Sequence, residues 1–236
     1  MTSLIINPYK FAAPSAEIIT ENLLFDFDAD LGLTIENTDR LQAWADQASN
    51  VSNLDIPTND ARRPVVITNG NPNGDGNSIL YDGITHYLRV SGGFTFNQPE
   101  TIYLVFKQVT WTFGDGIFDG NGSGTMGLLQ RTSTPNLLIS AGTQAAENSD
   151  AGLGTWVIGC AVYNGASSSL RINNNAKTTG NAGATNSGGL FLGRDFAGNN
   201  KANFAISRLL GYDTAAHSDA EQDQNITALN IIYSVF

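Results

Sequence analysis

Thr101-Ile102-Tyr103-Leu104-Val105-Phe106-Lys107 is the stretch that decides the fold. Its β-branched and aromatic residues alternate between two sides with the period of a strand, and neither Gly nor Pro interrupts them. Working outward, shorter runs follow the same logic. Val65-Val66-Ile67-Thr68, Ile79-Leu80-Tyr81 and Tyr87-Leu88-Arg89-Val90 precede it. Leu137-Leu138-Ile139-Ser140, Leu170-Arg171-Ile172, Leu190-Phe191-Leu192 and Phe204-Ala205-Ile206-Ser207-Arg208-Leu209-Leu210 follow it. Segments rich in Asn and Gly punctuate them: NGNPNGDGN at 69–77, DGNGSG at 119–124 and NNNAKTTGNAGATNSGG at 173–189. Asn and Gly tolerate the backbone of tight turns, so the pattern predicts an all-β chain of short strands in a sandwich or barrel. The segment 173–189 is either a decorated hairpin or a binding loop.

Two regions depart from that rhythm. Residues 1–22 form an N-terminal arm of three short apolar clusters broken by Pro8 and Pro14. It reads either as a mobile tail or as an arm that orders on a neighbouring subunit. At the other end the period lengthens. Ser218 and Glu221 have capping-box spacing, and Ile226, Leu229, Tyr233 and Phe236 fall on one helical face, predicting a C-terminal helix over 218–235. Asp219, Glu221 and Asp223 favour that helix start through its dipole.

Composition narrows the function classes. Of 236 residues only 14% are charged, and the net charge is −10 with 12 Lys plus Arg. No basic stripe is present to displace counterions from phosphates or to meet an anionic bilayer, so neither nucleic acid nor membrane is an expected partner. The single cysteine, Cys160, lies in the apolar run Trp156–Tyr163 and reads as an inert core thiol. The N-terminus lacks a basic stretch followed by a continuous apolar run, so synthesis in the cytoplasm without a signal peptide is the expectation.

Candidate site residues are few. Trp111, in Thr110-Trp111-Thr112-Phe113-Gly114-Asp115, stands among polar neighbours near a strand end. With Asp115 and Asn121 it would suit a glycan-binding face, the ring stacking on a sugar and the polar groups meeting hydroxyls. Core packing is the competing role for Trp111 and the only one read for Trp44 and Trp156. Asp26, Asp28 and Asp30 alternate along one strand. They are either calcium ligands, a hard cation relieving their repulsion, or a solvated strand end, and the second is preferred because unpaired exposed carboxylates are ordinary. Asp115, Asp119 and Asn121 lack calcium-loop spacing and read as turn residues. No cofactor is required beyond that possible calcium.

Several of these features resemble the laminin-G-like, concanavalin A-like jelly-roll family, as found in bacteriophage structural proteins. Asp39-Arg40-Leu41-Gln42-Ala43-Trp44-Ala45-Asp46-Gln47-Ala48-Ser49-Asn50 is similar to its Trp-x-Asp-x-Ser-Gly-Asn signature. Phe25-Asp26-Phe27-Asp28-Ala29-Asp30 stands where the family has an acidic opening strand, and Arg63-Pro64 follows the signature. Tyr81-Asp82-Gly83-Ile84-Thr85-His86-Tyr87-Leu88 resembles the Phe-Asp-Gly-x-x-Asp-Tyr-Leu strand pair. Leu192-Gly193-Arg194, Phe204–Tyr212 and Ser218-Asp219-Ala220-Glu221 resemble its closing elements. The likeness covers residues 23–236, with Ser49 replacing the signature Gly and His86 an Asp. It implies a two-sheet antiparallel jelly-roll sandwich and no single function.

Enzymes of such folds place paired carboxylates on one strand face, as Glu-x-Asp-x-x-Glu or a close variant. The six Glu here (17, 21, 36, 100, 147 and 221) form no such motif, and His86 and His217 lack a lyase context. The expectation is therefore non-enzymatic. It is a bacteriophage virion structural protein, a capsid decoration or a fibre or tail component, with cell-surface glycans as candidate ligands. Its expected partners are other virion proteins such as the major capsid protein, and further copies of itself in a homo-oligomer. A bacterial carbohydrate-binding or adhesion module is the alternative, and a glycan-active enzyme ranks third.

Overall fold

In the computed structural model the described residues are 17–37, 39–55, 60–122 and 126–236. Residues 1–16, most of the predicted arm, lie outside them. The first strands are β1 (Leu23–Asp28), β2 (Leu33–Glu36), β3 (Arg40–Trp44), β4 (Leu54–Asp55), β5 (Val65–Ile67) and β6 (Ser78–Asp82). Next come β7 (Leu88–Phe96), β8 (Glu100–Gln108), β9 (Gly116–Gly120), β10 (Met126–Gln130), β11 (Leu137–Ala141) and β12 (Gln144–Asn148). The last are β13 (Trp156–Tyr163), β14 (Ser168–Ile172), β15 (Thr178–Gly180), β16 (Ser187–Leu192) and β17 (Asn203–Tyr212), followed by helix α1 (Asp219–Tyr233).

Every ladder between these strands is antiparallel, as the sequence predicts. A back sheet runs β15-β14-β13-β8-β17, with β6 and β1 sharing the far edge of β17. A front sheet runs β7-β16-β9-β10-β11-β12. Strands β5, β3 and β4 bridge β6 to β7 and join the layers at one side.

The deciding run 101–107 occupies the centre of the back sheet, and both its faces are buried. Ile102, Leu104 and Phe106 enter the core between the sheets, with Phe25, Phe27, Trp44, Phe118, Leu128 and Leu190. Tyr103 and Val105 point the other way, into a second cluster with Ile158, Cys160, Leu210, Ile226, Leu229 and Tyr233. Helix α1 thus covers the outer face of the back sheet. Strand alternation alone predicts one wet face there; the helix removes it. Burial pushes the Cys160 thiol up to about 12, which keeps it protonated and inert.

The helix starts as its spacing predicts. The Ser218 hydroxyl accepts from Glu221 N–H, and Ser218 N–H donates to the Glu221 carboxylate at 2.7 Å. It ends earlier than expected, because Ser234 adopts a left-handed conformation (φ 51°). Phe236 is therefore exposed rather than part of the buried face. The last residues of the arm dock on the same helix. Ile18 and Ile19 pack against the second cluster, Ile19 N–H donates to Asn225 Oδ1, and Tyr212 Oη donates to the Ile19 carbonyl.

The Trp-x-Asp stretch fastens β1 to the turn after β3. Trp44 Nε1 donates to the Asp28 carbonyl, and one Asp46 carboxylate accepts from the backbone of Asp26, Ala48, Asn50 and Val51 at 2.8–3.0 Å. Ser49, where the signature carries Gly, has φ 61°, the left-handed backbone for which Gly is suited. Trp156, expected in the core, is only half-buried, with Lys107 Nζ 5.0 Å from its ring centroid.

Candidate functional site

The outer face of the front sheet carries one continuous row across seven strands. Register places Asp55 beside Arg89, then Phe191, Asp119, Gly127, Ser140 and Gln144. Directly opposed residues point to the same side of a sheet. Asp119 lies outward because Phe118 and Gly120, its neighbours in β9, turn inward. The segment 116–120 is thus a strand, not the turn its Asp and Gly content suggests.

Two loops rise around Asp119. The first, 109–115, is pinned by the buried Gln130. Its Oε1 accepts from Thr112 N–H, its Nε2 donates to the Thr110 carbonyl, and its backbone pairs with Gly114 and Asp115. Pinned in this way, the loop holds Phe113 out in solvent at 60% exposure, with the Arg131 guanidinium 4.8 Å from its ring centroid.

The second loop, 193–202, is shaped by Asp195. Its carboxylate accepts from Asn199 N–H at 2.9 Å and from Asn200 Nδ2 at 2.6 Å. Asp119 ties this loop to the sheet: Oδ2 accepts from Phe196 N–H at 2.8 Å and Oδ1 from Gly120 N–H at 2.9 Å.

Between the loops lies a cleft of about 170 Å³. Asp119, Asp195, Asn200, Arg131, Ser140 and Leu129 line it, with Gly114 and Gly127 leaving room at its floor. Burial, reinforced by Asp195, pushes the Asp119 carboxyl up to about 7. Burial pushes Asp115 up to about 6, Asp195 again adding. Near neutral pH the cleft therefore holds groups that both donate and accept hydrogen bonds beside an exposed ring and a guanidinium.

The predicted glycan residues divide. Trp111 is half-buried and does not line the cleft; its Nε1 donates to the Asn136 carbonyl at 3.0 Å, so its indole anchors the first loop. Asp115 lies at the base of that loop. Asn121 lies beyond the opposite end of β9, where its N–H donates to Ser187 Oγ, and six residues of extended chain put it roughly 20 Å from Asp115. Asn121 is not part of the cleft. Sequence reasoning missed Phe113, Arg131, Asp195 and Asn200, and it read Asp119 as a turn residue. The available signal was Phe113, an aromatic two residues from Trp111 on the same polar loop.

The preferred reading of Asp26, Asp28 and Asp30 as a solvated, unpaired strand end is corrected for the first two, which are buried and paired. Arg208 occupies the place of the cation. Its Nε and Nη2 meet the two Asp26 carboxylate oxygens at 2.9 and 2.7 Å, and its Nη1 lies 3.2 Å from Asp28 Oδ2. Asp26 and Asp28 are buried rather than solvated, and burial raises the Asp28 pKa. Asp30 turns away to accept Asn77 N–H at 2.6 Å. Among the described residues no group of three or more His, Cys, Asp or Glu is arranged to hold a metal ion.

No family model and no curated protein sequence matches the chain. Solved structures do. Domain 4 of AbnA, a GH43 extracellular arabinanase from Geobacillus stearothermophilus in complex with arabinotriose, superposes with a TM-score of 0.62 at 14% identity. The match covers 86% of this chain and 98% of that domain. An arabinofuranosidase complexed with arabinofuranosyl-alpha-1,2-xylobiose gives a TM-score of 0.58 at 16% identity over 80% of this chain and 51% of its own. Trypanosoma rangeli sialidase in complex with sialic acid gives 0.61 at 10% identity over 91% of this chain and 34% of its own. The chain thus spans about half and a third of those two enzymes. At these identities the likeness establishes the fold alone: the chain is an antiparallel β-sandwich.

Proposed function

We propose that the chain is a carbohydrate-binding module whose cleft, between loops 109–115 and 193–202, takes a short saccharide. The observation that carries this is the cleft itself. An exposed Phe113 braced by Arg131 offers a stacking platform, and Asp119, Asp195, Asn200 and Ser140 offer hydroxyl partners beside it. The match to a whole arabinanase domain bound to arabinotriose supports it as analogy of fold.

Binding without hydrolysis is part of the proposal. Asp119 and Asp195 spend their oxygens on backbone and side-chain donors that hold the second loop, a structural commitment at odds with a free acid and base. The test is calorimetry and a glycan array with Phe113→Ala and Asp119→Asn. Saccharide binding in the wild type that falls at least ten-fold in both variants supports the reading. Binding equal in all three proteins rejects it, and release of reducing ends would reject its non-enzymatic part.

The larger setting stays the one expected from the sequence: a virion component of the laminin-G-like kind, assembling with other virion proteins and copies of itself. Proteomics of particles from a phage encoding the chain tests that, and absence from them would sink it.

A further inference from the structure

The second loop separates the cleft from a pocket of opposite character. This pocket, about 240 Å³, is lined by Arg62, Arg194 and Lys201 together with Tyr87, Thr85 and Gly198. Three of the twelve Lys and Arg of a chain with net charge −10 thus line one cavity, and no carboxylate does. Arg89 adds charge nearby, through its place in the row beside Phe191. Among the described residues none of Arg62, Arg89, Arg194 and Lys201 makes an ion pair, a state they share with Arg40, Lys107 and Arg131, while Arg171, Lys177 and Arg208 are paired. Carboxylates in the flanking turns are committed elsewhere. Asp82 accepts from the N–H groups of Ile84, Thr85 and His86, and Asp195 accepts from its own loop.

The cations are held in position. The Arg194 guanidinium lies 4.0 Å from the Tyr87 ring centroid and 4.4 Å from that of Phe191. Its Nε is buried with no hydrogen-bond partner, as is that of Arg89. Gly198 has φ +80°, a backbone that favours glycine, and a Cβ there would come within 2.9 Å of Arg194 Nη1, so a side chain would displace the guanidinium from its place under the loop. Lys201 Nζ donates to the Gly198 carbonyl at 2.9 Å, which fixes the ammonium at the loop. Burial holds the Arg194 pKa below its ordinary value; the charges of Arg89 and Arg62 push the same way, and Tyr87 and Asp195 push against it. Among the described residues the nearest carboxylates, Asp195 to Arg194, Asp115 to Lys201 and Asp55 to Arg89, act from outside the pocket lining. A preorganised cluster of positive groups lined by no carboxylate is what an oxyanion neutralises, planar guanidinium suiting it geometrically.

We infer that the Arg62–Arg194–Lys201 pocket binds the oxyanion of an acidic glycan, a carboxylate or sulfate, on a sugar adjoining the one in the cleft. Loop 193–202 supplies Arg194, Gly198 and Lys201 to one side and Asp195 and Asn200 to the other, so two neighbouring sugar units would straddle it. The inference rests on the cleft proposal for the saccharide, and on the pocket alone for the anion.

The test is calorimetric titration with four probes: an oligogalacturonate, a sulfated galactose oligosaccharide, a neutral oligosaccharide of equal length, and inorganic sulfate. The proteins are the wild type, the exposed double variant Arg62→Ala/Lys201→Ala, Arg194→Met and the cleft variant Asp119→Asn. An acidic probe should bind at least ten-fold more tightly than the neutral one, with the preference removed by Arg194→Met and reduced by the double variant. Whichever acidic arm binds identifies the oxyanion. Acidic and neutral probes binding alike in all proteins would overturn the inference while leaving the cleft proposal standing. Inorganic sulfate binding that is lost in Arg194→Met, with no saccharide bound, would keep the anion pocket and reject the cleft.

Discussion

Gly127 stands directly across from Asp119 in the front sheet, and a Cβ on Gly127 would lie 3.2 Å from Asp119 Oδ1. The carboxylate that ties down loop 193–202 thus has its room because the facing residue has no side chain. Gly127→Ala should displace Asp119, narrow the cleft and weaken saccharide binding several-fold. Thermal unfolding should move little, since the change is at the outer face. Calorimetry beside a melting curve separates the two, and a large loss of stability with unchanged binding would contradict this role.

Arg208 holds Asp26 and Asp28 where a cation would otherwise be needed. Removing one partner from a buried ion cluster leaves uncompensated charge, at a cost of about 3–5 kcal/mol. Arg208→Met should lose stability on that scale in chemical denaturation. For the wild type, added calcium or a chelator should leave the unfolding midpoint where it is, and a calcium-dependent rise would contradict this account and favour a metal site.

Glu100 is fully buried, and neither of its carboxylate oxygens has a hydrogen-bond partner. Burial, then the neighbouring charge of Asp213, pushes it up to about 9. The folded protein keeps a proton that the unfolded chain releases near its ordinary value of 4.5, so this group costs stability as pH rises from about 4.5 to 9. Asp119, raised to about 7, acts in the same direction over the lower part of that range. Stability should therefore fall with rising pH between those limits. Glu100→Gln should flatten the alkaline part of the fall and stabilise the protein by about 1–3 kcal/mol at neutral pH. A pH series of melts checks both, and an unchanged slope in the variant would contradict the assignment.

Helix α1 seals the back sheet through Ile226, Leu229 and Tyr233. Leu229→Ala should cost about 2–5 kcal/mol, the range for emptying a packed leucine site. Ser218→Ala should cost only about 1 kcal/mol, through loss of the cap. Equal effects would mean that the helix is held by its own propensity rather than by docking.

What the sequence revealed follows the range over which its signals act. Strand 101–107 and the Ser218–Glu221 cap are written in adjacent residues, and both appear where local pattern puts them. Partners far apart in the chain were not legible. Asp26 and Asp28 look like a cation site until Arg208, some 180 residues on, lies beside them. Asp119 reads as a turn residue until its register with Gly127 and Phe191 makes it the floor of a cleft. Trp111 stands among polar neighbours near a strand end and so reads as a sugar-stacking ring, yet the pinning of its loop by Gln130 exposes Phe113 instead.

The central claim is that the cleft at Asp119, with Phe113 beside it against the lining Arg131, binds saccharide, and the most direct measurement is calorimetric titration of Phe113→Ala against the wild type. Phe113 is 60% exposed, so its removal should leave the fold intact. The account predicts saturable oligosaccharide binding to the wild type and at least a ten-fold loss in the variant, with the melting temperature unchanged. Identical affinity in the two proteins, or no binding across a broad glycan panel, would contradict it.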